Sequence, residues 1–216
     1  MENSIPVHQT VNRDSESALP VSDEGDRARA DTYAILSSLL NQTPTQDLID
    51  YLCHINIPDR TEEVGAVGQA WLQLKTASEA VNLSVLDDEF HDLFIGVGRG
   101  QVVPHGSWHL TGFLMDKPLS DLRTDLRLLG FVSDPQQKDP EDHISALFET
   151  MSILITSADI EGYQQRRFFI AHIHPWVGRF FDDLEHAPSA DFYRKVSTLG
   201  KQFMVLESEY LNIQAH

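Results

Sequence analysis

Apolar positions recur at helical spacing along most of the chain, and strand-like alternation appears nowhere at useful length. The strongest run is Ile144, Leu147, Phe148, Met151, Leu154 and Ile155, which gives one helix a wide apolar face. Asp139-Pro140-Glu141-Asp142-His143 precedes it and reads as the helix start. Asp139 suits the cap, Pro140 the first helical position, and Glu141 and Asp142 the positive end of the dipole. The spacing predicts a central helix over about 140–157, with Asp142 and His143 on its first turn at the rim of the apolar face.

The same periodicity predicts the other elements. A first helix from Ser22 or Asp23 turns Ala30, Tyr33, Ala34, Leu36, Leu39 and Leu40 inward. Asn41 and Thr43-Pro44 separate it from a second, with Leu48, Ile49, Leu52 and Ile55 inward. A third carries Val64, Val67, Trp71, Leu74 and Ala77. Ser84 reads as the cap of a fourth, with Leu86, Phe90, Leu93 and Phe94 inward. Gly96 to Gly106 is the most irregular stretch, followed by a short helical segment near 107–114. Pro118 opens a helix with Leu119, Leu122, Leu126 and Leu129 inward, and Gly130 stops it. Beyond the central helix come one over 164–173, a face of Trp176, Phe180, Phe181 and Leu184, and a terminal helix from Ser189. That last helix carries Phe192, Val196, Leu199, Phe203, Leu206 and Tyr210. The expectation is an all-α bundle of about ten helices. Residues 1–24 read as a flexible acidic tail, 25–132 and 140–216 as two helical subdomains, and 133–139 as a linker that could act as a hinge.

Charge narrows the partners. Lys plus Arg number 16 and Asp plus Glu 33, a net charge of −17. Such a chain repels nucleic acid and anionic lipid and attracts cationic partners with salt-sensitive rates. Cys53 is the single cysteine, which excludes an internal disulfide and suits a reducing cytoplasm. The start, Met1-Glu2-Asn3-Ser4, lacks the basic and apolar segments of a signal peptide. No apolar run approaches the roughly 20 residues of a membrane span.

The candidate chemistry is sparse. There are 10 histidines, but His172 and His174 point to different helix faces, and Pro104 and Gly106 disturb the four-residue spacing of His105 and His109. No pair of Glu-x-x-His motifs suggests a di-metal bundle. Gly96-Val97-Gly98-Arg99-Gly100 lacks the spacing of a nucleotide loop and follows a helix. Cys53 reads as a buried structural thiol, and no nucleophile elbow occurs. Asp142 and His143, adjacent on a helix, would not face one another as a relay. Phe90, Leu93, Phe94, Trp108, Phe113, Met115 and the Asp142-His143 rim could line an apolar groove with an acidic edge, suited to a basic, apolar peptide.

Three stretches carry a family likeness. Asp88-Glu89-Phe90-His91-Asp92-Leu93-Phe94-Ile95-Gly96, a loop reaching Ser107-Trp108, and Pro140-Glu141-Asp142-His143 together resemble the TorD/DmsD family of redox enzyme maturation chaperones. Phe168-Phe169-Ile170-Ala171-His172-Ile173-His174-Pro175-Trp176 is similar to that family's second conserved region. The resemblance implies a TorD-like helical fold and a non-enzymatic, cytoplasmic chaperone. Such a protein binds the twin-arginine signal peptide, the apo-form, or both, of a molybdopterin oxidoreductase, and delays export until the cofactor is inserted. By the same resemblance, Asp142 and His143 match the recognition pair, Phe94 and Gly96 the first motif, and Ser107 and Trp108 the loop contacts. His172 and Trp176 match a structural second motif. No resident metal or cofactor is expected, though weak guanine nucleotide binding goes with the family. The 133–139 linker, acting as a hinge, could let two chains exchange subdomains and form a homodimer. Replacing Asp142 and His143 by Ala is expected to weaken peptide binding and leave the fold intact. The alternative is a helical metal- or nucleotide-dependent enzyme built around the histidines.

Overall fold

The computed structural model describes residues 23–57, 65–96, 99–132 and 139–213. Ten α-helices and one π-helical turn form among them. They are α1 (Asp23–Asn41), α2 (Gln46–His54), α3 (Ala66–Ala80), α4 (Leu83–Phe90), the π-turn (His91–Ile95), α5 (Gly106–Thr111), α6 (Lys117–Leu128), α7 (Ile144–Thr156), α8 (Gly162–His172), α9 (His174–His186) and α10 (Phe192–Tyr210). The expected all-helical class is the observed one. Among the described residues the sole bridge of strand type is isolated and joins His105 to His143.

The helix with the strongest apolar run buries most of its length. On α7, 8 of 13 residues are buried, including all six of the periodic apolar positions. α1 lies along α7, and α10 packs on α9 and α3. One hydrophobic cluster joins Leu36, Leu86 and Leu93 to Phe148, Phe180 and Phe203, side chains from both sides of residue 133. The expected tail (residues 1–22 of it) and linker (residues 133–138) lie outside the described residues, as does Val64.

Several local expectations are corrected. The cap of α7 is His143, not Asp139: its ring accepts from Ser145 N, and the helix starts at Ile144. Pro140 to Asp142 form a turn in which His143 N donates to the Pro140 carbonyl. Asp142 and His143 therefore precede the helix and are buried rather than set on its rim. Asn82, not Ser84, caps α4 by accepting from Ser84 N and Val85 N. Ala34 faces solvent, and so does Leu206, because the inward place on the last turns of α10 is taken by Glu207. That carboxylate is fully buried. It accepts from Arg29 Nε (2.6 Å), Arg29 Nη2 (3.0 Å) and the Tyr33 hydroxyl (3.1 Å), and so ties α10 to α1.

The π-turn aims the chain at the site. Gly96 N donates to the His91 carbonyl (2.7 Å), and Gly96 adopts φ 51°, a left-handed conformation that suits glycine. Gln101 N and Val102 N then bond the Asp92 and Leu93 carbonyls, satisfying acceptors that the turn leaves open. The stretch expected to be an irregular loop thus runs back against the body. Val102, Val103 and Pro104 are buried, and they deliver His105 to Trp108 beside the start of α7. From α4, Glu89 accepts from Asp191 N, Phe192 N and Tyr193 N (2.8, 3.2 and 2.8 Å) and so caps α10.

Candidate functional site: a carboxylate-lined cleft

Two loops meet in front of α7. Ile144 N donates to the Pro104 carbonyl (2.8 Å) and Gly106 N to the Asp142 carbonyl (2.9 Å), so residues 104–106 and 142–144 run as a short antiparallel pair. The Asp142 side chain completes the junction. Its Oδ2 accepts from Ser107 N (2.8 Å) and Ser107 Oγ (2.5 Å). Its Oδ1 faces His105 Nδ1 at 3.6 Å, beyond hydrogen-bond length, and among the described residues neither atom has a hydrogen-bond partner. Burial works to raise the Asp142 carboxyl. The neighbouring His105 ring and the two Ser107 donors more than offset it, and the group lies below the usual carboxylate range.

His143 does something different. Its ring packs edge-on to His105, with centroids 5.0 Å apart. Nδ1 accepts from Ser145 N (3.2 Å) and lies 2.7 Å from Ser145 Oγ. Burial first, and then the adjacent His105 ring, push its pKa down to about 4. The ring is neutral at pH 7 and serves as a helix cap. It is not a solvent-facing donor to a partner.

The second motif lies directly beneath. Trp176 Nε1 donates to the His172 carbonyl (2.7 Å). Its indole sits so close over Gly106 that a Cβ there would be 3.0 Å from Nε1 and 3.1 Å from Cε2. His172 Nε2 bonds Asp125 Oδ2 at 2.9 Å, and Arg167 pairs with Asp125 Oδ1 at 3.0 Å. Burial lowers the His172 pKa against the pull of Asp125.

These residues frame a cleft of about 300 Å³ between α5, α6 and the α8–α9 junction. Ser107, Asp142, His172 and Trp176, four of the eight residues expected from sequence, line it together with Asp121 and Asp125. The other four are elsewhere. His143 lies behind, bonded to Ser145. Trp108 is half-buried under the Arg99 guanidinium, 4.5 Å from the ring centroid. Phe94 packs on Phe90 and Tyr193, and Gly96 closes the π-turn. The residues that could have lined one groove are divided: Phe90 and Leu93 are core, while Phe113 and Met115 are exposed. Sequence reasoning overlooked Asp121, Asp125 and Gly106. Only Gly106 carried a local signal, as a glycine inside the irregular Pro-His-Gly-Ser-Trp run.

Ser107, His105 and Asp142 are the residue types of a hydrolytic triad, but their order is wrong. The hydroxyl donates straight to the carboxylate, so no base stands ready to take its proton toward a substrate. Among the described residues no group of three or more His, Cys, Asp or Glu side chains is placed to hold a metal ion, and no helix is long and apolar enough to cross a membrane. Three carboxylates, of which Asp121 pairs with Lys117 and Asp125 with Arg167, stand beside Leu122, Leu147 and Trp176, an acidic and apolar lining that suits a cationic group carried on an apolar segment.

Comparisons with known proteins place the chain in a family. Residues 60–182 match the family described as nitrate reductase delta subunit. The chain is 26% identical over 202 residues to the chaperone protein TorD of Vibrio atlanticus (strain LGP32), across 85% of this chain and 94% of that one. It is 24% identical over 204 residues to the chaperone protein TorD of Aliivibrio fischeri (strain ATCC 700601 / ES114), with the same coverage. Its fold matches that of a candidate redox enzyme maturation protein from Archaeoglobus fulgidus. The TM-score is 0.55 and the identity 17%, over 89% of this chain and 99% of that one.

Proposed function

Because the chain belongs to the TorD-like family described as nitrate reductase delta subunit, we propose that it is a non-enzymatic maturation chaperone for a redox enzyme. It acts in the cytoplasm on a molybdopterin oxidoreductase that carries a twin-arginine signal peptide. It holds the signal peptide, the apo-form, or both, until the cofactor is in place, and so delays export. The observation that carries this reading is the cleft in which Asp121, Asp125 and the buried Asp142 stand beside apolar walls. Guanidinium groups pair well with carboxylates in such partly dry sites, and the net charge of −17 steers them there. Neither a metal nor a nucleotide is needed for this work.

The test is calorimetric titration of the full chain with twin-arginine signal peptides from several molybdoenzymes, each repeated with lysine in place of arginine. Tight binding of one peptide, weakened by the replacement and by salt, is the expected result. Absence of binding to every peptide would move the contact to the mature subunit. Exchange of helices between two chains about residues 133–139 belongs to the same proposal, and a concentration-independent monomer mass in light scattering counts against it.

A further inference from the structure

The loop between α5 and α6 holds the longest run of exposed large apolar side chains among the described residues. Phe113 is 70% exposed, Leu114 52% and Met115 71%. Three such residues in succession do nothing for a core, and patches of this kind mark contact surfaces. The turn that presents them is well built. Gly112 takes φ 82°, and Thr111 Oγ donates to the Ser107 carbonyl (2.9 Å) while accepting from Phe113 N (3.3 Å). Asp116 closes it by accepting from Lys117 N (2.7 Å). Met115 sits at φ 57°, a left-handed conformation unfavourable for a side chain of its kind.

The loop is bracketed by two residues of the cleft. Leu110, on the preceding helix, is exposed and lines it, as does Pro118 on the following one. The same cleft is lined by Asp121, which pairs with Lys117 at 2.5 Å, by Asp125, which His172 and Arg167 hold, and by Asp142. Asp142 is 3% exposed, and its Oδ1 has no hydrogen-bond partner among the described residues.

We infer that Leu110 and the Phe113–Met115 turn are the apolar half of the binding surface, and that cleft and turn together take a protein segment pairing cationic side chains with an adjacent apolar stretch. The inference rests on the chaperone reading and adds the residues that grip the apolar stretch. Charge selects this occupant over a second copy of the chain, which would bring another −17 to the same surface.

The experiment titrates twin-arginine signal peptides into the wild-type chain, the double variant Phe113→Ser with Met115→Ser, and the single variant Met115→Gly. Both positions are exposed, so the variants should melt where the wild type does. Binding at least tenfold weaker in the double variant, and weaker in Met115→Gly despite its relieved backbone, is expected. A peptide whose apolar residues are replaced by Ser should bind wild type and double variant alike. If the double variant binds every peptide as the wild type does, the turn is not part of the site, while the chaperone reading stands. If the wild type itself binds none, the inference falls with the signal-peptide contact, and the client contact moves to the mature subunit. A mass in light scattering that drops from dimer to monomer in the double variant would give the surface to a second copy and overturn the inference.

Discussion

One carboxylate oxygen of Asp142 accepts both the backbone N–H and the hydroxyl of Ser107, 35 positions away and itself fully buried. These are charge-assisted bonds out of water, and removing the acceptor strands two donors. Asp142→Ala should therefore cost about 2–4 kcal/mol by that principle and by the usual range for broken buried networks. The expectation that the Asp142 and His143 double replacement leaves the fold intact is revised accordingly. Chemical denaturation of Asp142→Ala and Asp142→Asn checks it. A stability equal to wild type in both would show that Ser107 is held by other means.

His143 gives a pH dependence with a definite sign. Its pKa is about 4 when folded, below the ordinary value of 6.5. A depressed folded value means that the stabilisation is present above 6.5 and is lost as pH falls from 6.5 toward 4, since the unfolded ring takes a proton first. The loss is on the order of 3 kcal/mol for a shift of this size. His109 and His172 are also depressed, burial being the first cause in each, and they add in the same direction. In His143→Asn the side-chain oxygen can still cap Ser145 N but cannot titrate. The variant should show a shallower fall in melting temperature between pH 6.5 and 4, and an unchanged slope would assign the effect to the other histidines.

Gly106→Ala tests the junction of the two motifs. The added Cβ would meet the Trp176 ring at 3.0–3.1 Å, and Trp176 is almost fully buried with its Nε1 committed to the His172 carbonyl. The ring has little room to yield, so a loss of about 1–3 kcal/mol is expected from overpacking. Near-ultraviolet circular dichroism should report a shifted indole. A wild-type spectrum and melting point would mean that the ring moves without cost.

Glu89→Gln tests the cap of α10. The Glu89 carboxylate meets three successive backbone N–H groups at the positive end of that helix. The amide keeps one oxygen but turns an NH₂ toward donors, so about 1–2 kcal/mol should be lost. Faster hydrogen exchange at Phe192 and Tyr193, with α9 unaffected, would locate the effect at the helix start.

What was legible in the sequence was whatever local periodicity controls. All six periodic apolar residues of the central helix are buried, and so are Trp176, Phe180, Phe181 and Leu184. Helix starts were less legible, because Asp139-Pro140 is as good a local start as His143. The choice is made by Pro104, whose carbonyl takes Ile144 N from another part of the chain. Asp125 was invisible for the same reason. It is an ordinary helix carboxylate until the fold sets His172, 47 positions later, against it. The family motifs pointed to Ser107, Asp142, His172 and Trp176. That they share one cleft is a tertiary fact.

The last prediction concerns Arg29 and Glu207, 178 positions apart. Both are almost fully buried. Arg29 bonds Glu207 through Nε and Nη2, reaches Asp26 at 2.6 Å, and lies 3.9 Å over the Tyr210 ring. Burial works against the charge on Arg29, but the Glu207 and Asp26 carboxylates hold it firmly protonated. Removing one partner leaves the other charged in a dry place, which typically costs 3–5 kcal/mol, whereas replacing both with apolar residues of similar volume costs far less. Glu207→Gln should therefore be severely destabilising, and the double variant Arg29→Met with Glu207→Leu should recover much of the loss. A double-mutant cycle measures the coupling directly. Equal losses in the single and double variants would show that α1 and α10 are held by Tyr33 and the surrounding apolar contacts, and that the ion pair fixes only their register.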